Sequence, residues 1–170
     1  MSDDTTFEGD YHDLPFGEQF LLWAMRQWVR GYQTSDRTQE TLQKGFSLAG
    51  IGDGYLELDE LMTVISYSAT ARIEVGCPYC KNISTDEQIF IGLFAALQRS
   101  EVAACRAFLS HWLPAAGIRL AQSPATRLAW RMARGGLTLR ARVIAPSGKD
   151  QVGVTVTPQG DDQVAPVTLH

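Results

Sequence analysis

The chain has 170 residues, 45% of them hydrophobic and 20% charged, with 15 glycines, 7 prolines and 3 cysteines. That balance excludes collagen-like, disulfide-rich and wholly disordered classes, and the length suits one domain with a core of its own. The net charge of −4 hides an uneven layout: positions 1–18 hold six acids and no base, and positions 102–149 hold eight bases and no acid.

No Lys or Arg precedes Arg26, unlike the basic start of an export signal. The longest apolar runs, 20–25 and 89–97, fall short of the roughly 20 residues a membrane span needs. An odd cysteine count without framework spacing fits a reducing compartment. A cytoplasmic protein with no membrane contact is therefore expected.

Residues 1–12 read as an acidic flexible tail. Asp13-Leu14-Pro15 then starts a helix, with Asp as N-cap and Glu18 in the first turn, running to Arg30 and stopping at Gly31. Phe16, Phe20, Ala24 and Trp28 form one stripe along it, and Leu21, Met25, Val29 and Tyr32 a second beside it. Trp23 lies about 140° around the axis from Trp28. A helix this apolar is either central in a bundle or covered by a partner.

A second helix is expected over 37–48, with Leu42 and Phe46 inward, followed by a Gly-rich turn. A third, over 57–71, places Leu58, Leu61, Met62, Ile65 and Ala69 on one face. Residues 72–75 read as an extended connector and 76–83 as a loop holding Cys77-Pro78-Tyr79-Cys80. Ser84 and Glu87 form a capping box that opens a fourth helix to Arg99. Ser100-Glu101 starts a fifth, which carries Cys105, Phe108, Leu109 and Trp112 and ends at Pro114. Ser123-Pro124 starts a sixth, stopped by Gly135-Gly136.

After Gly136 the apolar period changes to two. Leu137, Leu139, Ala141 and Val143 alternate with polar residues, as do Val152, Val154 and Val156 beyond a turn, giving a hairpin over 137–158. Residues 159–170 read as a frayed C-terminal tail. The expected fold is mainly α: a helical domain over 13–136, about a six-helix bundle, with a C-terminal β-hairpin extension.

Four features bear on chemistry. Cys77-Pro78-Tyr79-Cys80 resembles, residue for residue, the active-site tetrapeptide of glutaredoxins. The resemblance implies a thiol–disulfide oxidoreductase with Cys77 as nucleophile and Cys80 resolving. It covers four residues of a chain otherwise organised as helices, with the next helix starting seven residues after Cys77. A zinc site would need Cys105 and one further group beside this pair; Cys105 and His111 sit about 240° apart around one helix and do not converge. His111 itself reads as a capping or partly buried histidine.

Residues 53–61 resemble the second half of an EF-hand calcium loop, but the pattern puts Ala49 and Ile51 where the first carboxylates belong. No metal or other cofactor is expected. The fourth feature is basic: Arg127, Arg131 and Arg134 share one edge of the sixth helix, and Arg140 and Arg142 one face of the following strand. Such clusters hold anions, unless an acidic segment of the same chain neutralises them.

Phosphate-loop, nucleophile-elbow and zinc-protease signatures are absent, so the sequence does not point to an enzyme outside the thiol reading. The leading expectation is a small interaction or regulatory protein. It would meet a protein partner or second copy through the aromatic first helix (Phe20, Trp23, Trp28, Tyr32) and the Arg-rich block. The alternative is a thiol redox or metal-binding protein using Cys77 and Cys80. Third comes an anion or RNA binder through Arg127, Arg131, Arg134, Arg140 and Arg142; nucleic acid ranks last because the sequence pI is about 5.3 and no nucleic-acid motif accompanies the block.

Overall fold

The computed structural model describes residues 9–34 and 37–142, and the backbone of 167–169. A 3-10 turn, Tyr11–Asp13, leads into α1 (Phe16–Thr34) and α2 (Thr38–Leu48). Then come α3 (Gly54–Ser68), β1 (Ile73–Val75), α4 (Thr85–Gln98), α5 (Val102–Leu109), α6 (Ala115–Arg134) and β2 (Val167–Leu169). The described chain is mainly helical.

Helix α4 lies at the centre. Every residue from Phe90 to Leu97 is buried, a run that only a helix covered on all sides can hide. It packs on α5 and α6; α6 packs on α3, and α1 on α2. Gly92 is what brings α5 close, since a Cβ there would run into the ring of Phe108. One contiguous apolar cluster draws side chains from all six helices.

The sixth helix corrects the sequence expectation. It begins at Ala115, with Pro114 as N-cap, and carries Pro124 inside it. A helix-interior proline costs about 3 kcal/mol. Here the face of Gly117, Ala121, Pro124, Ala125 and Leu128 is buried, and a Cβ on Gly117 would stand 3.0 Å from Ser68 of α3. Close packing of small residues against α3 outweighs the local penalty. Likewise α1 runs past Gly31, where a Cβ would stand 2.8 Å from Thr38; the glycine lets α2 start against α1.

Residues 137–142, the described part of the expected hairpin, form no strand. The alternation is real, with Leu137 and Leu139 buried, but side chains take the place of a neighbouring strand. The Gln98 amide donates to Leu137 O at 2.9 Å and accepts from Leu139 N at 2.9 Å, and Glu18 accepts from Arg140 N at 3.1 Å. The remainder of that hairpin, 143–158, lies outside the described residues. The strand pairing that is present joins β1 to β2, antiparallel, with Glu74 opposite Thr168. Val167–Leu169, read from sequence as part of a frayed tail, thus supplies the partner of the connector at 73–75.

Candidate functional site

The loop from Gly76 to Ile83 joins β1 to α4, and polar groups fix both ends of it. Ser84 accepts from Glu87 N at 3.1 Å while the Glu87 carboxylate accepts from Ser84 N at 2.9 Å, the reciprocal capping box. The Ser84 hydroxyl also donates to Glu74 O at 2.5 Å, and Asp86 accepts from Glu74 N at 2.7 Å. Helix α4 is thereby stitched to β1.

From the other side comes Arg26, on α1. Its Nε and Nη2 donate to the two Glu87 oxygens at 2.6 and 2.9 Å, and both side chains have 0% exposure. Its other donors reach Cys80 O at 2.6 Å and Asn82 O at 2.9 Å. Glu87 also accepts from Gly76 N at 3.1 Å. A guanidinium that is desolvated, paired and bonded to backbone carbonyls satisfies what burial demands of a charge. The Tyr11 ring lies 5.1 Å over the guanidinium, and Tyr11 N donates to Lys81 O at 2.7 Å. Burial pushes the Tyr11 phenol above its usual range, against the opposing pull of Arg26.

Within this frame Cys77 and Cys80 are bonded to each other, both half-buried, and Cys80 N donates to Cys77 O at 3.1 Å to close the turn. Tyr79, between them, is 82% exposed. The pair does not sit at a helix N-terminus, since α4 begins at Thr85; Arg26, which donates to Cys80 O in the turn, is itself neutralised by Glu87. Cys105 is buried on α5, where burial raises its thiol above the usual range. Among the described residues no three His, Cys, Asp or Glu side chains gather to hold a metal ion.

Tyr79 also forms one wall of an open groove. The cavity holds about 390 Å³ and is lined by Gln27, Arg30 and Thr34 of α1, Arg37, Thr38 and Thr41 at the start of α2, and Tyr79.

The other sequence-selected residues are placed as follows. Phe20 and Trp28 are buried and Trp23 half-buried, with the Trp28 indole donating to Asp59 at 2.7 Å; Tyr32 is exposed. Trp23 lies over Gly45, where a Cβ would meet its ring. Of the basic block, Arg131 forks onto Glu57 at 2.8 and 2.9 Å, which pushes its guanidinium further up from an already high value. Arg127 bonds Glu60, and Arg142 meets the buried Glu18 at 2.6 Å, with Arg140 at 3.5 Å from the same carboxylate. Arg134 alone of the five makes no ion pair among the described residues. The EF-hand-like carboxylates Glu57 and Glu60 are thus held by arginines rather than converging on one point. His111 Nδ1 donates to Ala107 O at 2.9 Å, capping α5.

Arg26, Gln27, Arg30 and Arg37 escaped the sequence reading. Arg26 did leave a signal, a lone charge inside the apolar run from Phe20 to Val29. The residues of the groove left none, since only the fold brings the end of α1, the start of α2 and the loop tip together. Comparison with protein-family models, with curated proteins and with solved structures finds no match to this chain.

Proposed function

We propose that this chain is a thiol–disulfide exchange protein, with Cys77 and Cys80 passing between bridged and dithiol forms. A partner dithiol supplies the electrons. One of its thiolates attacks a sulfur of the bridge, the Cys77–Cys80 bond breaks and a mixed disulfide forms. The partner's second thiolate then displaces it, leaving two thiols on this chain and a disulfide on the partner. Two electrons and two protons move in all, and the reverse course oxidises a partner.

The observation that carries this reading is the bridge's setting: a half-exposed turn whose backbone is already held by Arg26 and Glu87. A disulfide closing so short a ring contributes only about 2 kcal/mol by restricting the unfolded chain. It is a poor staple for a loop clamped independently, and a bond that can open without dismantling its surroundings. The aromatic surface that argued for a docking first helix is in large part drawn inward, and four of the five block arginines already hold carboxylates. Neither rival therefore has comparable support.

The test is a redox titration of the folded chain in dithiol/disulfide buffers, read by thiol alkylation and mass spectrometry with circular dichroism alongside. Expected is a single two-electron transition with unchanged helix content, and loss of exchange with a dithiol peptide in Cys77→Ser and Cys80→Ser. A bridge that resists excess dithiol in the folded state, or whose reduction unfolds the chain, overturns the reading.

A further inference from the structure

We propose that the groove beside Tyr79 seats an acidic peptide segment of the thiol partner, with Arg30 and Arg37 reading its carboxylates and the Gln27 amide its backbone. The inference rests on the exchange reading above and names the class of substrate for it.

Three observations meet in this groove. The first is Gln27. It is only 8% exposed, it lines the cavity, and its amide makes no hydrogen bond among the described residues. That amide is not sealed from solvent, so it is open to an occupant of the groove. Its paired donor and acceptor match those of a peptide group.

The second is charge. Arg30 and Arg37 both line the cavity, neither pairs with a carboxylate among the described residues, and no acid stands among the described lining residues. The three threonines do not supply the missing donors: Thr34 donates its hydroxyl to Arg30 O at 2.9 Å and Thr41 to Arg37 O at 3.2 Å, and Thr38 has interactions of its own. Recognition therefore falls to two guanidinium forks and one amide, a set suited to carboxylates.

The third is position. Tyr79 walls the groove and adjoins Cys80 in the chain, their Cα atoms about 3.8 Å apart. An occupant lying along α1 and against Tyr79 is carried to the bridge, and one that bears thiols is carried to reaction. The cavity volume lies within the range of clefts that bind ligands. The whole chain is net negative, −4, so general electrostatics would repel an acidic peptide. Any preference for one must arise locally.

The probes are two synthetic dithiol peptides, alike except that glutamates flank the cysteines in one and glutamines in the other. Reduction of the Cys77–Cys80 bridge in the full chain is followed by quenched alkylation. The glutamate peptide is expected to react about tenfold faster at low salt, with the advantage shrinking as salt rises and falling to parity in Arg30→Gln/Arg37→Gln. Equal rates in the unaltered chain, or a preference that survives in that double variant, overturn the proposal. A third peptide, with glutamates and with serines replacing the cysteines, isolates the groove: saturable shifts of the Gln27 side-chain amide resonances are expected, and none would overturn it. Should those shifts appear while neither dithiol peptide reduces the bridge, the groove stands and the exchange reading falls.

Discussion

Arg26 and Glu87 lie 61 residues apart in sequence and face each other through two hydrogen bonds, 2.6 and 2.9 Å long, with no solvent access to either side chain. The same two groups hold the backbone of Gly76, Cys80, Asn82 and Ser84. The cysteine loop thus takes its shape from a buried ion pair rather than from its own residues. Such a pair adds little net stability compared with apolar replacements, but breaking it leaves an uncompensated charge in the core.

Glu87→Gln should therefore destabilise the chain by about 3–5 kcal/mol, read by urea unfolding. Arg26→Lys keeps the charge yet loses the planar fork that serves four acceptors at once, and should cost nearly as much. A loss below about 1 kcal/mol in Glu87→Gln would mean that water replaces the carboxylate and that the pair does not organise the loop.

Opening the bridge should behave quite differently. Cys77→Ser with Cys80→Ser, or reduction of the natural chain, should lower stability by about 2 kcal/mol or less and leave the helical spectrum intact. A loss of 4 kcal/mol or more would mark the disulfide as a structural staple, against the exchange reading.

The helices and their inward faces were legible because apolar spacing reports burial directly, and the Ser84–Glu87 capping box because it is local. Features made by distant partners were not. The alternation from Leu137 onward reads as a strand, yet Gln98 and Glu18 serve its backbone, and no local pattern announces such partners. From sequence the basic block reads as an anion site or as a face neutralised by the acidic tail. In fact its partners are Glu18, the last acid of the N-terminal run, and Glu57 and Glu60 of α3. Ser123-Pro124 reads as a helix start because local propensity favours proline there, and packing of α6 against α3 overrides that preference. The cysteine turn was visible as four residues, but neither the clamp beneath it nor the groove beside it could be seen without the fold.

Glu18 gives a local test of that cis neutralisation. The carboxylate is buried and accepts from Arg140 N and from the Arg142 guanidinium. In Glu18→Gln the amide can replace one of these bonds but not the charge, so the 137–142 segment should loosen while the bundle persists. Hydrogen exchange at the Arg140 amide should accelerate about tenfold or more, equivalent to about 1.4 kcal/mol of local protection. Unchanged exchange there would mean that Gln98 alone holds the segment.

Alkaline pH should weaken the fold through a buried thiol and a half-buried phenol. Burial holds the Cys105 thiol and the Tyr11 phenol above their usual ranges, so the folded chain keeps both protons to higher pH than the unfolded chain does. Between the unfolded and folded values the unfolded state binds fewer protons, and stability must fall as pH rises. The decline begins near pH 9.0 for the thiol and near pH 10.0 for the phenol, and below those values neither group contributes a slope. Thermal unfolding from pH 7 to pH 10.5, with the Cys77–Cys80 bridge intact, should show a falling Tm over the upper part of the range. Cys105→Ala should remove the earlier component of the fall, whatever it costs in packing at neutral pH, and Tyr11→Phe the later one. A Tm–pH profile in both variants that runs parallel to that of the unaltered chain would show that neither group is held neutral by the fold.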